Sequence, residues 1–346
     1  MKLFLALYSV VSILTVFTSN DIIILTLTPF IYYFARDAGI DPRPILFTEF
    51  FAANTWSMML YIGNPTNIVI ASAFSLRFDE YTLYLFLPTI AAGLSNLLLL
   101  YFVFRKALKV PLKKECTCDP AGALTDRWGA ILGLAILTGC IIGLAVAPYA
   151  GVEMWQVSVI FAIVLLGMLA GRDILWGFIP RANLKNNNSS VKATAYRLPW
   201  SIAPFVLSLL VMVEALKVYE ITRAVGDVFA AISGGSIIVN TFIYGFSSAL
   251  SANVLNNIPM TIAFVPVMES LHGRELLAAA FATTIGSNLG ANLTPLGSLA
   301  GIMWMSILSA KECRISFTAF MKYGAIITPI TLISALGTLY LELLIF

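Results

Sequence analysis

Apolar runs separated by short polar breaks follow one another along almost the whole chain. Four runs are long enough for a helix that crosses the roughly 30 Å hydrocarbon core of a bilayer, namely residues 83–105, 128–148, 200–218 and 323–346. The shorter runs are 2–18, 22–35, 45–62, 66–76, 153–170, 236–255, 258–269, 276–290 and 295–309. The pattern predicts an all-α polytopic membrane protein in which several helices do not cross the bilayer alone.

The breaks between the short runs contain Ser, Asn, Thr, Gly and Pro in a repeated order. They are Ser19-Asn20-Asp21, Gly63-Asn64-Pro65-Thr66-Asn67, Asn256-Asn257-Ile258-Pro259 and Gly290-Ala291-Asn292-Leu293-Thr294-Pro295. This order predicts a helical hairpin followed by a broken helix, twice. Backbone groups freed by a break cannot face lipid, so they line protein or a water-filled cavity. Broken helices at matching positions of two halves indicate the binding site of a secondary transporter; the alternative is ordinary turns outside the membrane.

Composition agrees with a membrane protein and excludes an ordinary soluble enzyme. The 346 residues are 59% hydrophobic and 11% charged, whereas soluble domains carry roughly 25% charged residues. A net charge of +3 gives no indication of nucleic-acid binding, and four scattered cysteines do not form a disulfide framework. Without a Walker A motif, a hydrolase elbow or a paired-histidine zinc motif, the sequence predicts no enzyme, no cofactor and no metal site.

Basic residues concentrate in two loops, at 106–127 and 171–199. Two runs separate the loops, so both lie on one side of the membrane, and the excess of Lys and Arg makes that side cytoplasmic. The second hairpin then enters from outside and the first from the cytoplasm, which predicts inverted repeats with re-entrant hairpins. The expected organisation is a first repeat 1–105, a loop 106–127, scaffold spans 128–170, a loop 171–199 and a second repeat 200–346.

Asp21 is the outstanding candidate for proton chemistry because apolar runs flank it on both sides. A carboxyl group inside a membrane is a functional hypothesis by default, and removal from water favours its protonated form. The alternative is a carboxylate that stabilises the start of the helix beginning near Ile22. Glu49 is a weaker candidate. Cys116 and Cys118 could bind a soft metal or trivalent arsenic, but no third ligand lies nearby in the sequence.

The breaks also carry a family resemblance. The stretches Ser19–Asp21 with Leu27–Pro29, Gly63–Ile68, Asn256–Pro259 and Ile285–Ala300 resemble the arsenite efflux pump (arsenical pump membrane protein) family of the ion transporter superfamily. That superfamily also contains Na⁺/H⁺ antiporters, divalent-anion/Na⁺ symporters and citrate transporters. The resemblance implies two inverted repeats, each giving a hairpin and a broken helix to a mobile transport domain, with the first repeat here lacking its amino-terminal scaffold helices.

The resemblance further implies which residues surround the substrate and the coupling ion: Asn20, Asp21, Asn64, Thr66, Asn256, Asn257, Asn292 and Thr294. Ser19 and Asn67, in the same breaks, complete the expected binding set. None of the broken segments contains Lys or Arg, which favours a small neutral cargo over a multivalent anion.

The expected function is therefore efflux of arsenite or antimonite through the cytoplasmic membrane by proton antiport and alternating access. The alternatives are a Na⁺-coupled citrate or dicarboxylate transporter, a Na⁺/H⁺ antiporter, or a truncated remnant that does not transport. The expected partners are the lipid bilayer, a small inorganic or organic ion, and a proton or Na⁺ as coupling ion. The sequence leaves a homodimer and a separate ATPase subunit open.

Overall fold

The computed structural model describes residues 2–109, 127–177 and 202–345, together with 191, 192, 195 and 200. Within these residues the secondary structure is helical, with no strand. The prediction of an all-α protein is confirmed for this part of the chain. Most of the predicted loops 106–127 and 171–199, including Cys116 and Cys118, lies outside the described residues, so the domain boundaries stay predictions.

The helices fall into three consecutive groups. The first group is α1 Lys2–Phe17, α2 Asn20–Asp37, α3 Arg43–Trp56, α4 Pro65–Ala73 and α5 Phe78–Phe104. The second is α6 Arg127–Val146, α7 Met154–Gly177, α8 Ile202–Val218 and α9 Ile221–Ser233. The third is α10 Ile237–Leu255, α11 Asn257–Val267, α12 Gly273–Gly290, α13 Leu299–Ala310 and α14 Phe317–Ile345. Short 3₁₀ turns cover Tyr61–Gly63, Ala107–Lys109, Ala147–Ala150 and Pro295–Gly297.

The chain divides into two compact units. One unit comprises residues 118–209, in which α6 packs on α7 beside the turn that joins them. There Gly143 lies against Val157 and Phe161, where an added Cβ would be 2.9 Å from the Val157 Cγ1. The other unit comprises residues 1–117 and 210–346 and contains every predicted site residue.

Five described helices are long and apolar enough to cross a membrane: 78–104, 129–146, 154–174, 237–255 and 317–345. The structure therefore differs from the predicted spans in three places. Residues 154–174 and 237–255 reach spanning length, whereas the predicted span 200–218 is seen as Ile202–Val218, a helix of 17 residues. Val211 and Val254 are 70% and 84% exposed, as expected for apolar side chains that face lipid.

In the larger unit, the order of the first group recurs in the third: a helix pair, a broken helix and a long helix. The packing recurs as well. Helix α1 packs on α3 as α10 packs on α12, and α5 packs on α3 as α14 packs on α12. The second helix of each pair packs against the short half of the opposite broken helix, α2 on α13 and α11 on α4. The long helices α5 and α14 pack on each other.

Helix α3 lies at the centre of this unit, since every residue from 44 to 55 is buried. Its aromatic side chains form a cluster with the short half of the second broken helix and with α14. The Phe47 and Phe50 rings lie 5.4 and 5.2 Å from the Trp304 ring, and Phe50 lies 5.3 Å from Phe320. Such aromatic contacts bury large areas and fix relative helix positions.

Local sequence explains where both broken helices restart. Asn64 caps α4 by accepting a hydrogen bond from the Thr66 N–H at 3.2 Å, and Pro65 occupies the first helical position, where its missing N–H costs nothing. Ser298 caps α13 in the same way, accepting from the Gly301 N–H at 3.1 Å. Each cap directly follows a 3₁₀ turn. The backbone is thus irregular at the two places where the polar motifs stand.

Candidate functional site

The four polar breaks are buried inside the larger unit. Asn20 and Asn64 are 1% exposed, Asn256 is 6% exposed and Asn292 is fully buried. A buried amide requires hydrogen-bond partners, because each unpaired donor or acceptor costs about 1–3 kcal/mol. The partners of these amides therefore define the site.

Asn54, on α3, connects the first helix pair with the second broken helix. Its Oδ1 accepts a hydrogen bond from the Asn20 Nδ2 at 2.9 Å, and its own Nδ2 donates to the Asn292 Oδ1 at 3.1 Å. Asn20 in turn accepts from the Asp21 backbone N–H at 2.9 Å. Three buried amides from three helical segments thus form one chain of hydrogen bonds.

Asn288, near the end of α12, connects the second broken helix with the first. Its Oδ1 accepts hydrogen bonds from the Ser57 Oγ at 2.8 Å and the Asn64 Nδ2 at 2.9 Å. Its Nδ2 donates to the Asn67 Oδ1 at 2.8 Å. Together with Asn54, Asn288 joins both breaks in one buried amide network.

Thr66 and Asn67 fix the start of α4 against this network. The Asn67 Nδ2 donates to the carbonyl oxygens of Ser57 at 2.8 Å and Leu60 at 3.0 Å, so this side chain spans the first break. Thr66 accepts from the Ser287 Oγ at 3.2 Å. Both residues therefore hold the short half-helix in place and also face the second half of the molecule.

The link between α10 and α11 is held by its own set of contacts. The Asn256 Nδ2 donates to the Leu296 carbonyl oxygen at 3.1 Å, and the backbone of Asn256 has φ +72°, a conformation that favours glycine. Asn253 accepts from the Thr294 Oγ1 at 2.7 Å and donates to the Gly290 carbonyl oxygen at 2.9 Å. Asn256 and Asn253 are thus both bonded to the second break. Strained backbone conformations such as that of Asn256 concentrate at ligand sites.

Three buried amide atoms of the site have no hydrogen-bond partner among the described residues. They are the Asn292 Nδ2, the Asn256 Oδ1 and the Asn257 Oδ1. The site therefore offers one free donor and two free acceptors in addition to the amide pairs already made. Such atoms can bind a small ligand that both donates and accepts hydrogen bonds.

Asp21 lies in the first turn of α2 and is half-buried. Its carboxylate makes no hydrogen bond or ion pair with any described residue. The N-cap of α2 is Ser19, whose side chain accepts from the Ile22 N–H at 3.3 Å, and Asp21 follows it in the first turn of the helix. Asp21 remains an available carboxyl group one residue from the amide network.

Four helices, α2, α4, α11 and α13, begin at the breaks. Helix N-termini carry partial positive charge and unpaired N–H groups, so they attract oxygen atoms of a ligand. No group of three His, Cys, Asp or Glu side chains that could hold a metal ion occurs in the described part of the chain.

The buried network contains residues of the expected binding set and others besides. Asn20, Asn64, Asn67 and Asn292 belong directly to the amide network, and Thr66, Asn256 and Thr294 adjoin it. The network also requires Asn54, Ser57, Asn253 and Asn288, which the expected set omits. The sequence signal for Asn54 and Asn288 is an amide two residues before the end of a helix.

The chain is similar in sequence to a known family of membrane proteins. A family model described as "Arsenical pump membrane protein" matches residues 1–343. The chain is 28% identical over 330 residues to the arsenical pump membrane protein of Yersinia enterocolitica, covering 94% of this chain and 74% of that protein. It is 26% identical to the protein of that name from Escherichia coli K12, with the same coverage.

A third relative bears a different name. The "46 kDa membrane protein" of Mycobacterium leprae is 24% identical over 356 residues, covering 99% of this chain and 77% of that protein. These matches and the five helices of spanning length confirm the prediction of a multi-pass membrane protein. The resemblance seen in the motifs is confirmed as well.

Proposed function

Because the chain belongs to the arsenical pump membrane protein family, we propose that it exports arsenite or antimonite in exchange for protons. The proposed location is the cytoplasmic membrane, with the site opening alternately to either side. Of the other partners considered, a homodimer and a separate ATPase subunit are not required by this proposal.

The buried amide network carries the proposal. At neutral pH arsenite is an uncharged trihydroxy species whose hydroxyl groups both donate and accept hydrogen bonds. Each asparagine amide offers one donor group and one acceptor, so Asn54 and Asn288 can exchange a bond to another amide for a bond to the cargo. The breaks at 57–64 and 291–298 contain no Lys or Arg, so a charged anion lacks its usual partner.

The repeated helix order supports alternating access. Each helix pair packs against the short half of the opposite broken helix, which is the arrangement expected if two inverted repeats form one transport domain. In this conformation the amides are closed off from water. Opening to either side would separate one helix pair from the opposite break and expose the cargo.

We assign the exchanged proton to Asp21 in the first instance. Its carboxylate is half-buried, has no partner among the described residues and adjoins the network through Asn20. A proton that binds to Asp21 as the cargo leaves would couple the inward movement of the proton to the outward movement of the cargo.

The test is Asp21→Asn, measured as arsenite export driven by a proton gradient in membrane vesicles. Export is expected to be lost while the protein still inserts into the membrane. Asp37→Asn is the matched control, because Asp37 lies on the same helix but is exposed at its far end. Undiminished export in Asp21→Asn would remove the proton-carrier assignment, and equal losses in both variants would contradict its specificity.

A second candidate is Na⁺ coupling on the same fold. The buried, unpartnered Asn256 Oδ1 and Asn257 Oδ1 favour it, because amide oxygens are ligands for Na⁺. Export measured with the Na⁺ and proton gradients varied separately distinguishes the two. Dependence on Na⁺ alone would replace the proton antiport proposed above.

A further inference from the structure

Glu49 is the most deeply buried carboxyl group described in the chain. It lies in the middle of α3, and its side chain has no exposed surface. The Oε1 atom accepts a hydrogen bond from the Thr28 Oγ1 at 2.8 Å. The Oε2 atom is buried and has no hydrogen-bond partner among the described residues.

An aromatic cluster adjoins Glu49 along α3. Phe50, the next residue, packs 5.2 Å from the Trp304 ring and 5.3 Å from the Phe320 ring. The indole N–H of Trp304 lies beside the Glu49 carboxyl group but does not reach hydrogen-bond geometry with it. An ionised carboxylate in such a pocket would need a cation or several donors to offset its desolvation.

No cation is placed to do so within the described residues. The helices around α3 are α1, α2, α5, α12, α13 and α14. Their charged side chains lie in the first two or the last turns: Lys2; Asp21, Arg36 and Asp37; Asp79 and Glu80; Arg274 and Glu275; Lys322 and Glu342. None of them contributes to the electrostatics of Glu49. The titratable group of α14 near this pocket is Tyr323, whose ring lies 4.8 Å from Phe47.

Thr28 is oriented in an unusual way for a buried threonine in this chain. The hydroxyl groups of Thr48 and Thr55, on α3 itself, bond to carbonyl oxygens four residues earlier in the helix, each at 2.7 Å. The Thr28 hydroxyl instead crosses to the neighbouring helix and meets Glu49. Its orientation is therefore explained by the carboxyl group and not by the local helix.

We infer that Glu49 is a second proton-binding site, which in this conformation holds its proton away from water. Binding forms one O–H bond at the unpartnered Oε2 and breaks one in the hydronium ion that delivers the proton, which leaves as water; release transfers the proton back to water and restores the carboxylate. Helices α2 and α3 are joined by two polar contacts, Asn20 with Asn54 and Thr28 with Glu49. The contacts are eight residues apart on α2, or ~12 Å at the rise of a helix.

Protonation of Glu49 therefore acts on the same helix contact that holds Asn20 in the amide network. Loss of the proton leaves a carboxylate that is stable only where water reaches it, which requires α2 to separate from α3. The consequence for transport rests on the proposed function, because the proton bound at Glu49 would be one that is exchanged for the cargo. The protonation itself does not depend on that function.

The first measurement is infrared spectroscopy of the full chain in lipid vesicles. The C=O stretch of a protonated, buried carboxyl group is expected in the wild type, to persist in Asp21→Asn and to disappear in Glu49→Gln. Glutamine has the shape of protonated glutamate, so Glu49→Gln is expected to insert and melt as the wild type does. Thr28→Val should keep the band and move it to higher frequency, since the hydrogen bond to the carbonyl oxygen is gone. A band unchanged by Glu49→Gln would overturn the inference.

The second measurement is arsenite flux in the same vesicles. Glu49→Gln is expected to lose export driven by a proton gradient while keeping exchange of arsenite down its own gradient. Loss of the infrared band with full gradient-driven export would make Glu49 a structural acid only and would overturn its role in coupling. A wild-type protein that moves no arsenite would defeat the proposed function, and the infrared result would still decide the protonation of Glu49.

Discussion

The two broken helices share one backbone frame. Trp56 and Gly290 end the long halves, and Pro65 and Leu299 begin the short halves, so each position of the second lies 234 residues after its counterpart in the first. Both breaks contain a 3₁₀ turn just before a capping residue. At the same offset, Asn54 corresponds to Asn288, and both amides reach across to the opposite break.

The side chains packed around this frame differ. Gly290 lets α10 approach so closely that an added Cβ would lie 2.6 Å from the Ala249 Cα, and Gly286 faces Ser248 and the Gly245 carbonyl in the same way. The corresponding Trp56 donates to the Tyr8 hydroxyl at 3.1 Å. A cavity of about 450 Å³ lies beside it, between α1 and α5.

The two carboxyl groups proposed to bind protons, those of Asp21 and Glu49, both lie in the first group of helices. Glu49 corresponds to Thr283 at the same offset, and Asp21 occurs at the start of α2, where α11 has amides and apolar residues. The same backbone arrangement therefore carries different side chains in the two broken helices and their neighbours. The third group of helices gives a tightly packed amide surface, and the first adds the carboxyl groups of Asp21 and Glu49.

The largest expected effect comes from preventing the close approach of α10 to α12 at Gly290. Gly290→Ala places a methyl group against the α10 backbone, which cannot move aside as a side chain could. We expect a loss of about 3 kcal/mol or more of stability, at the upper end for overpacking. The measurement is the melting temperature in detergent.

Gly337→Ala is the control for that variant. Gly337 is also inside a helix, but a Cβ there would meet nothing within 4 Å. It should gain stability by about 1 kcal/mol, because alanine is the better helix former. If Gly290→Ala melted like Gly337→Ala, the close contact between α10 and α12 would be refuted.

The next effect tests the equivalence of the two bridging amides. Asn54→Ala removes the bonds to Asn20 and Asn292, and Asn288→Ala removes those to Ser57, Asn64 and Asn67. Each is expected to cost about 2 kcal/mol, within the range for buried polar groups left unpaired, and to abolish arsenite export.

Thr89→Val is the control for those two variants, because the Thr89 hydroxyl is buried yet bonds only within its own helix, to the Leu85 carbonyl oxygen. It should leave export intact. Loss of export in Asn288→Ala alone would show that the two positions are not equivalent in function.

The smallest effect compares the two capping residues. Ser298→Ala should cost about 1 kcal/mol, the usual value of an N-cap. Asn64→Ala should cost more, because Asn64 caps α4 and also donates to Asn288 at 2.9 Å. Thermal unfolding of both variants measures the difference. Equal losses would mean that the Asn64–Asn288 bond contributes nothing to stability.

Much of the site could be predicted from local chemistry. Asn20, Asn64 and Asn292 stand beside Gly, Pro or other polar residues that mark a break. Asn54 and Asn288 lie inside helices, and their partners on other segments are separated from them by 34 to 238 residues. Only long-range packing brings those amides together, so periodicity and turn signals cannot reveal them.

The prediction for the run 153–170 failed because the helix extends beyond the end of the apolar run. Residues 153–170 were predicted too short, yet the helix Met154–Gly177 continues through Arg172 and Asp173, charges at which the apolar run ends. Composition locates an apolar run, but a helix continues past its end as long as the backbone hydrogen bonds of the helix can form.

The amino-acid sequence by itself determined that the chain is helical, lies in a membrane and breaks its helices at polar motifs, because hydropathy and backbone hydrogen bonding act locally. The tertiary structure decided which amides meet, that the two breaks share one register, and that Thr28 and Trp304 lie beside the buried Glu49. Those outcomes depend on how helices distant in sequence pack, and the size of one side chain, as at Gly290 or Trp56, sets how closely they approach.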